Sequence, residues 1–535
     1  MAQRGNKHVL DGLSGLFGSE EDADCTIIFY MEKNPVDDGP RKRQRREEES
    51  SEEPEKPSQP AVFGAPLPAH RLVLRRASER FRSQFERWTD TSTRPELRIP
   101  LRSEDEVPAA RAAIQYAYTG EVKEGGGVRG LLAVRRQAQY LDMKGCTADC
   151  DAALKRVLKD GAAAQELYQC EAIWPDPTAE EGFAAVLKKA VTRLAAHFGD
   201  ALKTLNTPSL LVQLLALPAV ALEALLGSDD FGTDSESSIL MVLALWMFIP
   251  VNRQHTDKQT RERLCRTVRL AHVSVPYRHL VVPALAADFI RANPSGAAGW
   301  FSVDPVHAAF ATSLSTLTDA ELKCLLDDSK SDPWVVGSGR LLDLTPRPQC
   351  ILREGLTFAW SLDQQDLLKG LQALEPGCAY MAAVLFDQTG RRQIAANGFE
   401  WSLGIHVTRE QRAAGLYLEC WLPSVYQESG GPLLGMKAVV SIDARVTVHR
   451  WQGGSQRDIV ETWDEDDPIV IGGSLGEPDV LPLLPPKPGT GARGGGRQPP
   501  VGGHGADGGS PLAAWGEYLR GGKITGSLKL MRPPS

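Results

Sequence analysis

The apolar positions of this 535-residue chain change period along its length, and that change decides which architectures are open to it. From about 160 to 325 every strong signal has helical spacing, as in RERLCRTVRLAHVS and in TPSLLVQLLALPAVALEALLG, two short helices broken at Pro218. After Pro333 the runs are alternating or β-rich: CAYMAAVLFD, NGFEWSLGIHV, GLYLECWLP and MKAVVSIDARVTVHRW. Before about 158 short strands and helices are mixed. No single layered core suits all three textures, so the chain reads as multidomain: α/β, then all-α, then an antiparallel β-sandwich or barrel.

Two tracts interrupt these textures. Residues 31–64 contain RKRQRREEESSEEPEKPSQP, too poor in apolar groups to offset the entropy of ordering, and are expected to be a disordered insertion between two strands. The Gly- and Pro-rich tract 476–510 is expected to be a disordered loop, after which WGEYLRGGKITGSLKLM returns to a short helix and a closing strand. The longest apolar run, ILMVLALWMFIPV at 239–251, is too short to cross a membrane and is expected to be a buried helix. Thr233 and Glu236 stand at capping-box spacing just before it. The N-terminal twenty residues read as a tail without the continuous apolar core of a signal peptide. A soluble protein with no membrane partner is expected.

Catalysis finds little support. Gly472, Ser474 and Gly476 match the G-x-S-x-G nucleophile elbow, which needs a helix directly after the serine. Here EPDVLPLLPPKPGTG follows, and its prolines exclude that helix. The acidic turn WDEDDP at 463–468 lacks calcium-loop spacing. Nine scattered cysteines, with Cys146 and Cys150 the one close pair, lack a second pair or a histidine at zinc spacing and read as reduced thiols. No catalytic residue, cofactor or metal is expected. A net charge of −8 gives no global reason for nucleic-acid binding. Locally, Arg41, Lys42, Arg43, Arg45 and Arg46 form a basic run suited to nuclear import, which places the chain in the nucleus, the cytoplasm or both.

Residues 67–85, LPAHRLVLRRASERFRSQF, space Leu74, Ala77, Phe81 and Phe85 along one helical face and fill the other with arginine. With DCTIIFY before them and LRIPL and AIQYAYTGEV after, they resemble a BTB/POZ domain. Asp24, Cys25, Phe29, Ala69, His70, Arg71, Val73, Leu74, Ser78, Phe81, Phe85, Tyr116, Tyr118, Thr119 and Gly120 carry the likeness over 21–158. The sequence departs from the usual pattern at RRAS, where small residues commonly precede the serine, and in the length of its insertion. The resemblance implies that His70 ties strand to helix. Residues 160–330, through Leu225, Leu226, Glu236, Trp246, Arg266 and Arg269, resemble the helical BACK domain. Residues 333–535 are similar to the MATH/TRAF-like domain that ends the light-response (POB-type) BTB–BACK proteins of plants.

What this resemblance implies is a non-catalytic adaptor that recruits a protein substrate to a cullin-3 RING ubiquitin ligase. The BTB domain would form a homodimer and offer a surface near Phe85, Trp88, Thr89, Asp90 and Tyr118 to the cullin. The BACK region would widen the contact, and the C-terminal domain would hold the substrate. The alternative is a nuclear scaffold that recruits transcriptional corepressors through the BTB dimer.

Overall fold

The structure is a computed structural model that describes residues 12–32, 61–88, 94–291, 299–314, 316–329, 343–375, 377–408, 412–427, 437–464, 466–483 and 511–532. By compactness the chain divides into Met1–Leu194 and Ala195–Ser535, a break that falls inside the helix Glu181–Phe198.

In the first unit, strands β1 (Cys25–Met31), β2 (Val62–Ala69) and β3 (Glu96–Leu101) form a sheet in the order β2-β1-β3. β1 runs antiparallel to β2, pairing Cys25 with Ala69, and parallel to β3, pairing Thr26 with Glu96. A parallel neighbour demands a crossover, and helices α1 (Arg71–Ala77) and α2 (Glu79–Arg87) occupy the connection that leads to β3. Alternation along β1 buries Cys25, Ile27 and Phe29. They share one core with Phe81 and Phe85 of α2 and with Ala113, Ile114 and Tyr118 of α3 (Val107–Thr119). That core also takes in Ala138 of α4 (Gly127–Tyr140) and both Cys146 and Cys150 of α5 (Lys144–Val157), the thiols serving as packing. Regular strand reaches into both ends of the tract expected to be disordered, because Met31 completes β1 and Val62–Gly64 open β2. Pairing of Phe29 with Phe63 and Tyr30 with Val62 accounts for this order. Residues 33–60 of the insertion lie outside the described residues.

α4 and α5 are joined by a buried cation. Arg135 Nε donates to Asp151 at 2.6 Å, its Nη2 reaches Glu180, and its guanidinium lies 5.2 Å from the centre of the Phe183 ring. Only 1% of Arg135 is exposed, so this charge depends on those carboxylates.

The second unit is built on the helix Glu236–Phe248, which buries Ile239 through Ala244, Trp246 and Met247, as expected for the long apolar run. The helices Pro208–Leu215 and Ala219–Gly227 meet at 120°, broken where Pro218 stands, and the carbonyl of Leu217 at the break accepts from Trp246 Nε1 at 2.9 Å. Among the described residues no single helix is long and apolar enough to cross a membrane. The capping box at Thr233 and Glu236 does not form. Ser235 is the N-cap residue, and Thr233 Oγ1 donates instead to the Ser235 carbonyl at 2.6 Å. Glu236 is taken up by arginine chemistry, accepting from Arg347 Nε at 3.0 Å and from the backbone N–H of Arg269 at 2.9 Å. Arg347 completes the arrangement by donating to the carbonyls of Leu226, Ser228 and Thr267. Two of those carbonyls close the helix Ala219–Gly227, so the guanidinium satisfies acceptors that a helix end leaves without partners.

Among the described residues the C-terminal strands form two five-stranded antiparallel sheets and two two-stranded ones, Val439–Val440 with Ile469–Val470 and Trp451–Gln452 with Ser455–Gln456. One five-stranded sheet runs Ile459–Trp463, Ala444–Val448, Lys523–Leu530, Leu356–Asp363, Leu385–Phe386; the other Ser474–Pro482, Ala413–Trp421, Phe399–Thr408, Ala379–Ala383, with Gln393–Ala396 also on Phe399–Thr408. Ser474–Pro482 overlaps the tract expected to be a disordered loop. It pairs with Ala413–Trp421 at the sheet edge, with a register shift between Glu477 and Leu481 that accommodates Pro478. Residues 484–510 of that tract lie outside the described residues.

These helices and strands are one unit because a hairpin is locked between the helices. Its turn, Asn397-Gly398, has φ of 52° and 81°, the left-handed pair that a tight hairpin requires. Asp234 accepts from Asn397 N–H at 2.5 Å, Ser238 Oγ accepts from Gly398 N–H at 3.0 Å, and Tyr277 Oη donates to the Gly398 carbonyl. Three backbone groups at the tip thereby find side-chain partners on the helices or just before them.

Candidate protein-interaction site

The junction of β2 and α1 sets the geometry of the first unit. His70 N–H donates to Tyr118 Oη at 3.0 Å, and His70 Nε2 lies 2.8 Å from the carbonyl of Glu21. A carbonyl only accepts, so Nε2 carries the proton. Nδ1, 3.2 Å from the phenol, is then the acceptor of the Tyr118 hydroxyl. One imidazole thus binds the segment before β1 to α3. Burial pushes the Tyr118 phenol up to about 12, which keeps it a proton donor. The first backbone N–H of α1 is met by Asp24 Oδ1 at 2.7 Å, a carboxylate at the head of β1 doing the work of a cap.

α2 is placed by Ser78. Its Oγ accepts from Phe81 N–H at 3.0 Å and donates to the Leu141 carbonyl at 2.5 Å. Phe81 and Phe85 then face the core, and Arg80, Arg82, Glu86 and Arg87 face out. The outward arginines are partly engaged: Arg80 lies 4.0 Å above the Tyr140 ring, and Arg82 contacts both Glu79 and Glu86. Residues 71–88 nonetheless carry Arg71, Arg75, Arg76, Arg80, Arg82 and Arg87 against Glu79 and Glu86. The face is electropositive on a chain of net charge −8, a pattern that favours encounter with an acidic surface.

The surface residues expected from the sequence separate into groups. Trp88 ends α2 and is 38% exposed, leaving a large apolar ring beside the basic face. Phe85 and Tyr118 are core residues, 4% and 2% exposed, so any contribution they make to a surface is through packing. Arg71 lies 5.3 Å from the centre of the Phe85 ring. Thr89 and Asp90 lie outside the described residues, as do Arg41, Lys42, Arg43, Arg45 and Arg46.

Ser474 opens an edge strand, and the residues after it continue as β structure, so the G-x-S-x-G pattern here has no helix behind its serine. Among the described residues no cluster of three or more His, Cys, Asp or Glu could hold a metal ion.

From β2 onward the first unit runs strand, helix pair, strand, three helices, with an imidazole bridging at the first turn. Residues 61–158 match the BTB/POZ domain. A BTB/POZ domain is present in this chain. The match opens at β2 and closes with α5, so β1 precedes it in sequence while pairing with its first strand. BTB/POZ domains are typically non-catalytic interaction domains that mediate dimerisation and bind cullin-3. No curated protein matches the chain.

Four features have little or no local mark in the sequence: Arg80 with Tyr140, Arg135 with Asp151, Arg347 with Glu236, and Asn206 with Ala395. The first two pairs join neighbouring helices, and a basic residue on a nearby helical face was their one signal. Nothing local marks Arg347 or Asn206.

Proposed function

We propose that this chain is a substrate-recruiting adaptor of a cullin-3 RING ubiquitin ligase, assembling through its BTB/POZ domain as a homodimer. The observation that carries this reading is the exposed Trp88 at the end of α2, bordered by arginines, inside the matched BTB/POZ segment. An anchor aromatic with a charged rim is how stable protein interfaces are commonly built. On this reading Trp88, Thr89 and Asp90 contact the cullin, and the helices that follow widen the contact as a BACK-like region. The β-rich C-terminal region is the MATH/TRAF-like substrate holder. Such a protein performs no bond chemistry; it raises the local concentration of its cargo beside the ligase. The basic run at 41–46 serves nuclear import.

Purified full-length chain immobilised through a C-terminal tag tests the proposal. It should retain the cullin-3 N-terminal region from solution, and the Trp88→Ala, Asp90→Lys variant should lose it while keeping its circular dichroism spectrum. Retention by neither protein, or equal retention by both, would overturn it.

A further inference from the structure

Within the second unit the strand Val439–Val440 and its continuation to Asp443 border a cavity of about 640 Å³. Val275, Pro276, Ile351, Ile442, Leu530 and Met531 provide its apolar walls. A volume of this size falls in the range of pockets that take ligands. Its charge is one-sided: among the described residues that line it are Asp234 and Asp443 and no lysine, arginine or histidine. Asp234 is occupied by the hairpin tip, accepting from the N–H groups of Asn397 and Ser235. The Asp443 side chain has no hydrogen-bond or ion-pair partner among the described residues, and partial burial and the nearby Asp464 carboxylate hold its carboxyl above the usual range, a stress that an incoming cation relieves. At the same cavity the Oγ of Ser235 is buried and has no hydrogen-bond partner.

The rim extends the site beyond the volume of a small molecule. Val275 and Val439 stand 55% and 53% exposed at the cavity. Val439 is paired directly across from Val470, itself 43% exposed, so the two side chains share one face. Trp421, 38% exposed, packs beside Gly472 just after that strand. Exposed aliphatic and aromatic groups gathered beside an anionic pocket mark an interaction surface. A small cation would occupy only a fraction of the pocket and leave the strip bare.

We propose that this cavity and strip bind an extended segment of a partner protein in which a lysine or arginine, directed toward Asp443, is flanked by apolar residues. The inference rests on the adaptor reading for its meaning, since it supplies the chemistry of the cargo, but the site stands on its own geometry. The test is panning of a phage-displayed random dodecapeptide library on the immobilised full-length chain, with fluorescence anisotropy on the synthesised winners. Enriched peptides should share a cation between apolar residues. Their affinity should fall about tenfold or more for Asp443→Asn and for Val439→Asp, as truncation of a partly desolvated charge pair does. The Asp479→Asn control, outside the cavity lining, should bind as the parent does. No enrichment, winners without a cation, or winners indifferent to both substitutions would overturn the proposal. Self-association of the chain abolished by Val439→Asp would assign the face to a second copy and overturn it equally. Cullin-3 retention by the same preparations reports separately on the adaptor reading, so a chain that retains cullin-3 but selects no such peptide defeats this proposal alone.

Discussion

Asn206 and Ala395, 189 positions apart, hold each other by two reciprocal hydrogen bonds: the carboxamide N–H₂ donates to the Ala395 carbonyl and its oxygen accepts the Ala395 N–H, each at 2.8 Å. The side chain thus acts as a piece of β-strand, extending the edge of Gln393–Ala396 into the helical part of the second unit. Because both backbone groups are buried, replacing Asn206 leaves two unsatisfied polar atoms. Asn206→Ala should lower the stability of the second unit by about 2–4 kcal/mol in urea denaturation of the full chain. Asn206→Asp, which keeps the acceptor and loses the donor, should be no milder.

Gly398 sits at the tip of the same hairpin with φ of 81°, and an added Cβ would lie 2.6 Å from Ser237 Cβ and 2.8 Å from the Tyr277 ring. Left-handed backbone and steric overlap act together here. Gly398→Ala is expected to cost about 2–4 kcal/mol, whereas alanine at the open, also left-handed Gly390 meets nothing within 4 Å and should cost about 1 kcal/mol. Comparison of the two denaturation midpoints checks the packing argument.

Arg347 and Glu236 form a pair in which both side chains are at most 1% exposed. Removing the cation strands a buried carboxylate and three carbonyls, so Arg347→Met should destabilise by about 3–5 kcal/mol. Adding Glu236→Gln should recover part of that loss. A double-mutant cycle with zero coupling would contradict the pairing.

In the first unit, Phe81 is 1% exposed in the shared core. Phe81→Ala should cost about 3–5 kcal/mol. Ser78→Ala removes both the α2 cap and the donor to Leu141, and about 1–2 kcal/mol is expected. Thermal melts of the full chain should show these losses in the transition of the first unit.

The second unit should become more stable on mild acidification. Burial raises the carboxyl groups of Asp200, Asp234 and Glu400 above their usual range. A carboxyl raised in the folded state binds protons more readily there than when unfolded. Its contribution is therefore complete below the unfolded value of about 4 and is lost as pH rises through the raised folded value. The opposite shifts, at the exposed Asp257 and Glu321 and at the partly buried Glu517, give losses that begin only below about pH 4. Urea midpoints should rise as pH falls from neutrality toward the unfolded carboxyl value of about 4, and Asp234→Asn should flatten that slope. A midpoint that falls over this interval would contradict the assignment.

How far the sequence announced all this depends on the range of the interaction. The period of DCTIIFY, the apolar spacing of Leu74, Phe81 and Phe85, the serine before α2 and Gly120 after α3 are local signals, and each corresponds to an element of the first unit. The resemblance implies the role of His70 as a tie, but a tyrosine in AIQYAYTG carries no mark of which face it takes, and Tyr118, expected at the surface, is its buried partner. Phe85 shows the same ambiguity between core and interface. Composition misled at Ser474–Pro482, where glycine and proline suggested a loop although an edge strand tolerates both when a register shift absorbs the proline. Spacing misled at Thr233 and Glu236, since a capping box and a buried glutamate that receives an arginine 111 residues away look identical in one dimension.

The most direct test of the account is the mass, by light scattering, of the full-length chain alone and mixed with the cullin-3 N-terminal region. An adaptor that pairs through its BTB/POZ domain should scatter as twice 58.2 kDa, and then as that dimer with one cullin fragment per chain. A 58.2 kDa species whose mass is unchanged by added cullin-3 would contradict the central claim.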